Sequence, residues 1–134
     1  MEKDKPQYIF VYGTLMKKYQ GPKPYRMEGL GKYVEDTRIP GKLYEIEGYP
    51  GLVKSQEPNF SVLGEVYKLY DPENSLPKLD QYEMCSPEFP EPHEYRREIT
   101  TIALNGKTTQ AWVYYYNQWV SEKKLIPSGD YASL

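Results

Sequence analysis

Asn105-Gly106 separates two runs rich in β-branched and aromatic side chains, Arg96 to Leu104 and Thr108 to Tyr116. An Asn-Gly pair accepts the positive φ angles of a two-residue hairpin turn, so these runs are predicted to be antiparallel strands in fixed register. The chain must therefore be organised around a sheet. Aromatic residues make up 15% of the sequence and 15 residues are Tyr. Such residues suit half-buried strands, where the ring packs inward and the hydroxyl reaches water or a partner.

The remaining elements follow from apolar runs and their breaks. Tyr8-Ile9-Phe10-Val11-Tyr12 is a continuous apolar run stopped by Gly13, which predicts a central strand buried on both faces. Lys17 to Met27 carries Gly21, Pro22 and Pro24 without a periodic apolar face and reads as a loop. Gly41 to Ile46 alternates, then Gly48, Pro50 and Gly51 turn the chain into Leu52-Val53, a second hairpin. Ser61 to Tyr70 places Leu63, Tyr67 and Leu69 on one face and Val62 and Val66 on the other, as an interior strand would. Asp71-Pro72 and Asn74-Ser75 supply turn and cap chemistry. They predict a short helix starting near Ser75, with Pro77 in its first turn. The polar tail after Trp119 is expected to wrap the surface. The reading is one α+β domain over residues 1–134, a small mixed β-barrel with one or two short flanking helices, because a twisted sheet of this size removes its edges by closing.

Charge and cysteine content narrow the function. A net charge of −2 with the two signs intermixed offers no basic face, so nucleic acid is not an expected partner. No apolar run approaches the ~20 residues that span a bilayer, and no membrane association is expected. Cys85 is the only cysteine and no charged-then-apolar leader precedes the first strand, which points to a reducing cytoplasm. One histidine and one thiol make a transition-metal site improbable, and no phosphate-binding or dinucleotide motif occurs. No metal or cofactor is expected.

Glu83 is the first candidate for chemistry. At about 100° per residue, Leu76, Leu79 and Glu83 share one stripe of the predicted helix. A carboxylate on an apolar face loses hydration, and its pKa rises towards the range of a general base at neutral pH. The alternative is a helix-end residue that points to solvent or pairs with Arg96 or Arg97. Gly13-Thr14 ends a buried strand, so it is either an ordinary tight turn or a run of backbone N–H groups able to hold a carboxylate or oxyanion. Cys85 and His93 raise a cysteine nucleophile with a histidine base. They lie, however, in a segment interrupted by Pro87, Pro90 and Pro92, a poor rigid support. Trp112 and the Tyr114-Tyr115-Tyr116 cluster are expected to fill the core rather than to form a stacking platform.

Taken in order, these segments resemble the γ-glutamylcyclotransferase or AIG2-like family. Val11-Tyr12-Gly13-Thr14-Leu15 is similar to its N-terminal strand and loop. Gly41-Lys42-Leu43-Tyr44, Gly48 to Val53 and Gly64-Glu65-Val66-Tyr67 follow in the family's order. Leu79-Asp80-Gln81-Tyr82-Glu83 resembles its Leu-Asp-x-x-Glu motif, Tyr95-Arg96-Arg97 its next strand and Ala111-Trp112-Val113-Tyr114 a later one. Ser128 to Tyr131 is similar to its ending. The resemblance implies a small barrel and a cofactor-independent enzyme that acts on a small γ-glutamyl substrate, as monomer or homodimer. It implies that the substrate's α-amino group attacks its own γ-carbonyl, giving 5-oxoproline and a free amine, with Glu83 as general acid and base. It also implies that Tyr12, Gly13, Thr14 and Leu15 hold the glutamyl part and that Tyr95 lines the pocket. The sequence departs from many relatives at Met84, where they have glycine, in the proline-rich segment, and at Lys17-Lys18-Tyr19, which replaces an Asn-His pair. A non-catalytic small-molecule or protein-binding module on the same fold is the competing reading.

Overall fold

The computed structural model describes residues 6–17, 19, 26–46, 48–120 and 124–133. Its strands are β1 (Tyr8–Val11), β2 (Gly31–Pro40), β3 (Lys42–Glu45), β4 (Pro50–Val53), β5 (Ser61–Leu69), β6 (Tyr95–Leu104), β7 (Lys107–Tyr116) and β8 (Leu125–Ile126). One helix, α1 (Pro72–Tyr82), lies between β5 and β6. Five strands form a mixed sheet in the order β2-β5-β1-β7-β6, and β4-β3-β8 form a smaller one. As its apolar run predicts, β1 is the central strand. It runs antiparallel to β5 and parallel to β7, and Ile9, Phe10 and Val11 are buried.

The hairpin forms where Asn105-Gly106 predicts it, with Leu104 opposite Lys107 and both turn residues at positive φ, 53° and 78°. The second hairpin, β3–β4, also forms. Leu76 and Leu79 are buried and anchor α1 in the hydrophobic core. Cutting a fully buried leucine such as Leu79 back to alanine costs about 2–5 kcal/mol.

One expectation is corrected and two elements are added. Helix α1 starts at Pro72, not near Ser75: Asp71 precedes it and Pro72 takes the first helical position, where a missing N–H is harmless. Pro77 is therefore inside the helix, and what it forfeits is one backbone hydrogen bond to Glu73. The stretch before Gly41 holds a ten-residue strand, β2, that apolar patterning does not show. It is an edge strand bearing Lys32, Glu35, Asp36 and Arg38, and a bulge at Val34 shifts the register between Tyr33 and Glu35, which reverses the alternation partway along. The tail contributes a short strand, β8, on the edge of β3.

The α+β class holds, but hydrogen bonding among the described residues gives two sheets and does not close a barrel. The large sheet curls until its two edges approach, and the Glu35 carboxylate accepts the N–H of Asn105 at 2.6 Å. That hydrogen bond links the edges without a ladder. Of the predicted loop from Lys17 to Met27, residues 18 and 20–25 lie outside the described residues, and Met27 opens a short 3₁₀ turn. Among the described residues no helix is long and apolar enough to cross a membrane.

Candidate active site

Where β1 ends, the chain turns into a loop fixed at several points. The buried Tyr12 hydroxyl donates to the Tyr114 carbonyl at 2.6 Å and accepts the Leu52 N–H at 3.2 Å, which ties the loop root to β7 and β4. Gly13 lies so close to β4 that a Cβ there would come within 2.6 Å of Pro50 Cγ, a clash that only glycine avoids. The Met16 N–H returns to the Gly13 carbonyl at 3.0 Å. Thr14 Oγ1 and the Tyr82 hydroxyl meet at 2.7 Å, joining the loop to α1.

A further anchor is Glu65, which the sequence reading gives only within the Gly64-Glu65-Val66-Tyr67 segment and without a role, although it falls in phase with Leu63 and Tyr67 on β5. It is fully buried, and its Oε1 accepts the Lys17 N–H at 2.7 Å and the Tyr67 hydroxyl at 2.9 Å. Held in this way, the N–H groups of Gly13, Thr14 and Leu15 take no hydrogen-bond partner among the described residues.

These residues line a cavity of about 270 Å³ together with Glu83 and Tyr95. All six positions picked out from the sequence, Tyr12, Gly13, Thr14, Leu15, Glu83 and Tyr95, thus share one space. Glu83 caps the C-terminus of α1, its N–H bonded to the Leu79 carbonyl at 2.9 Å, so it continues the Leu76–Leu79 stripe one turn further. Among the described residues nothing donates a hydrogen bond to its carboxylate. Burial, then the negative charges of Glu94 and Asp80, push its pKa up from 4.5 to about 8. Neither arginine of the alternative reading reaches it: Arg97 binds Asp80, and Arg96 binds Glu98.

Tyr95 is buried and donates its hydroxyl proton to the Pro50 carbonyl at 2.5 Å. Burial also raises the pKa of Tyr12, Tyr82 and Tyr95, so these hydroxyls keep their protons around Glu83. Glu94, immediately before Tyr95, is a second carboxyl in the cavity, held by a hydrogen bond from the Tyr49 hydroxyl. Its place in the proline-interrupted stretch gave no periodic signal by which to find it.

Cys85 is not set up as a nucleophile. Burial, then the charge of Asp80, pushes its thiol up to about 12, and the bond recorded for His93 Nε2 is to the Phe89 carbonyl, whereas a nucleophile needs thiolate character. The aromatic cluster packs the core, with Tyr114 also lining the reaction cavity. Tyr114 and Tyr115 are buried, and the Trp112 ring lies under the Arg97 guanidinium at 4.4 Å. Among the described residues no three His, Cys, Asp or Glu side chains are placed to hold a metal ion.

Residues 9–133 match the model of the family described as gamma-glutamyl cyclotransferase, AIG2-like. A Vibrio cholerae protein whose name gives gamma-glutamylcyclotransferase as a provisional assignment is 38% identical over 126 residues, 92% of this chain and 94% of that one. The gamma-glutamylcyclotransferase family protein YtfP of Escherichia coli K12 is 33% identical over 125 residues, with 92% and 94% covered. Among solved structures, an uncharacterized protein of Pyrococcus horikoshii superposes with a TM-score of 0.66 at 22% identity, over 94% of this chain and 90% of that one, a likeness of fold.

Proposed function

The chain belongs to the gamma-glutamyl cyclotransferase, AIG2-like family, and on that premise we propose that it converts a γ-glutamyl amine or amino acid into 5-oxoproline and a free amine. The observation that carries the reading is the pairing, in one cavity, of a carboxyl with three backbone N–H groups, none of which has a hydrogen-bond partner among the described residues. Such N–H groups complement a carboxylate or an oxyanion. A carboxyl with a pKa of about 8 is matched to moving protons near neutral pH.

In the proposed reaction the loop Gly13–Leu15 binds the glutamyl part in a curled conformation. Glu83 takes a proton from the α-ammonium, and the freed amine attacks the γ-carbonyl carbon, forming the ring C–N bond. As the tetrahedral oxyanion collapses, the amide C–N bond breaks, Glu83 returns its proton to the departing nitrogen, and the ring nitrogen gives its second proton to the freed amine, which leaves as an ammonium. Both reacting groups belong to one molecule, so the gain comes from holding a near-attack geometry and stabilising the oxyanion. The balance closes without an added water or redox partner. The Tyr12 and Tyr95 hydroxyls, each committed to a backbone carbonyl, keep the walls rigid. We place the reaction in a reducing compartment, where Cys85 remains a thiol.

The test is 5-oxoproline release from a panel of γ-glutamyl amino acids and γ-glutamyl amines by the wild-type protein and Glu83→Gln. Release by the wild type that disappears in the variant supports the reading. Equal release by both overturns the role of Glu83, and no release from any compound favours a binding module.

A further inference from the structure

The reaction cavity is small for a whole substrate. Its volume of about 270 Å³ lies just below the ~300–1,000 Å³ of most ligand pockets. A second cavity of about 330 Å³ adjoins it and shares two walls, Tyr49 and Glu94. Tyr44, Tyr116 and Trp119 supply aromatic faces there, and Trp119 is 93% exposed. The shared walls lie between the reaction cavity and this outer space.

Glu94 is fixed at that junction. Its backbone carbonyl accepts the Asn117 N–H at 2.7 Å, and its carboxylate accepts the Tyr49 hydroxyl. No Lys, Arg or His is among the described residues lining the reaction cavity, whose carboxyls are Glu83 and Glu94. In the second cavity Lys124 gives its ammonium to the Ile46 carbonyl at 3.0 Å, and Glu45 accepts the Gly48 N–H at 2.6 Å. Carboxylates thus outnumber cations along the path.

On the reaction proposed above, we propose that Glu94 selects the leaving group, favouring amines that carry a second, positive charge and disfavouring those with a carboxylate beside the scissile nitrogen. An amino-acid leaving group has its carboxylate one carbon from that nitrogen, next to Glu94, and like charges at close range oppose binding. The distal ammonium of a diamine instead passes Glu94 and meets the aromatic faces beyond it, favourable as an ion pair and as a cation over a π face.

The experiment compares kcat/KM for three substrates of similar length: the γ-glutamyl amide of diaminobutane, that of pentylamine, and γ-glutamylnorvaline. Wild-type protein is expected to prefer the diaminobutane amide over the pentylamide by about tenfold, with norvaline slowest. In Glu94→Gln the ratio of the first two is expected to fall towards one. A ratio measured within one variant does not depend on the fraction folded or on the overall rate. A wild-type preference that survives Glu94→Gln overturns the assignment to Glu94. Equal rates, or a preference for norvaline, overturn the selectivity and leave the reaction standing. Absence of 5-oxoproline from all three overturns the reaction and this inference with it.

Discussion

Asp80 and Glu83 lie one turn apart on α1, and the protein treats them in opposite ways. Asp80 accepts both Arg97 Nε at 2.7 Å and Nη2 at 2.9 Å, and the Tyr114 hydroxyl at 2.6 Å. Glu83 has no such donor. The sheet register explains the contrast: Arg97 sits opposite Tyr114 on the β6–β7 ladder, so both side chains rise on one face and converge on Asp80. Two residues earlier on the same face of β6 is Tyr95. Two strand residues advance by about 6.6 Å and three helix residues by about 4.5 Å, so the strand sets Arg97 against the first carboxylate and Tyr95 near the second. The Tyr95 proton is already given to the Pro50 carbonyl. A carboxylate becomes structural or reactive here through what the neighbouring strand offers it.

The largest expected effect breaks the comparison from the Glu83 side. Glu83→Gln is expected to lower 5-oxoproline release by roughly 100- to 10,000-fold, the usual contribution of a positioned acid–base group. The urea midpoint should hold or rise at pH 8, because a carboxyl whose pKa is raised by folding opposes folding when ionised. A large fall in stability would show that Glu83 has structural partners. Asp80→Ala should give the reverse pattern. It strands Arg97 and the Tyr114 hydroxyl, and with side chains 17% and 23% exposed for Asp80 and Arg97 the loss is expected to be about 2–4 kcal/mol by urea unfolding. Asp80→Asn should lose less, since it keeps an acceptor for Tyr114.

Much of this contrast was readable before the structure, and the unreadable part has definite causes. The Leu76-Leu79-Glu83 stripe put a carboxylate on an apolar face, and Gly13 marked the loop. Periodicity left Arg96 and Arg97 open as partners of Glu83, because choosing between Asp80 and Glu83 needs the strand register across a sheet. Strand β2 stayed hidden because an edge strand has a wet face and a bulge reverses its phase. The roles of Glu65 and Glu94 stayed hidden for related reasons. One is a charge buried in an otherwise apolar strand, and the other lies where prolines leave no period to follow.

A third prediction uses pH. The base form of Glu83 accumulates as pH rises through about 8, so kcat/KM for the free protein should climb with a midpoint there. The stability contribution has the opposite sign. A raised folded-state pKa means extra protons bound in the native state, so its share is present at low pH and is lost as pH rises from about 4.5 to about 8. Glu94→Gln should move the activity midpoint down more than Asp80→Asn does, because Glu94 is the larger charge effect on Glu83. No shift in either variant would mean that burial alone sets the value, and equal shifts would overturn the ranking of the two charges.

The smallest expected effect sharpens how Glu83 is held. Asp80 is fixed by side-chain partners, whereas Glu83 is placed by the backbone alone, as the cap of α1. The next residue, Met84, has φ 59°, the left-handed conformation that commonly ends a helix and that glycine adopts freely. The Met84 side chain is half exposed, so little packing is lost by removing it. Met84→Gly should therefore raise stability by about 0.5–1 kcal/mol, relief of left-handed strain partly offset by the greater freedom of glycine in the unfolded chain. Activity should change little, since the cap that aims Glu83 is kept. Met84 lines the cavity, so unchanged or lower stability together with a raised KM would show instead that its side chain contacts the substrate and helps to hold the Glu83 end of the site.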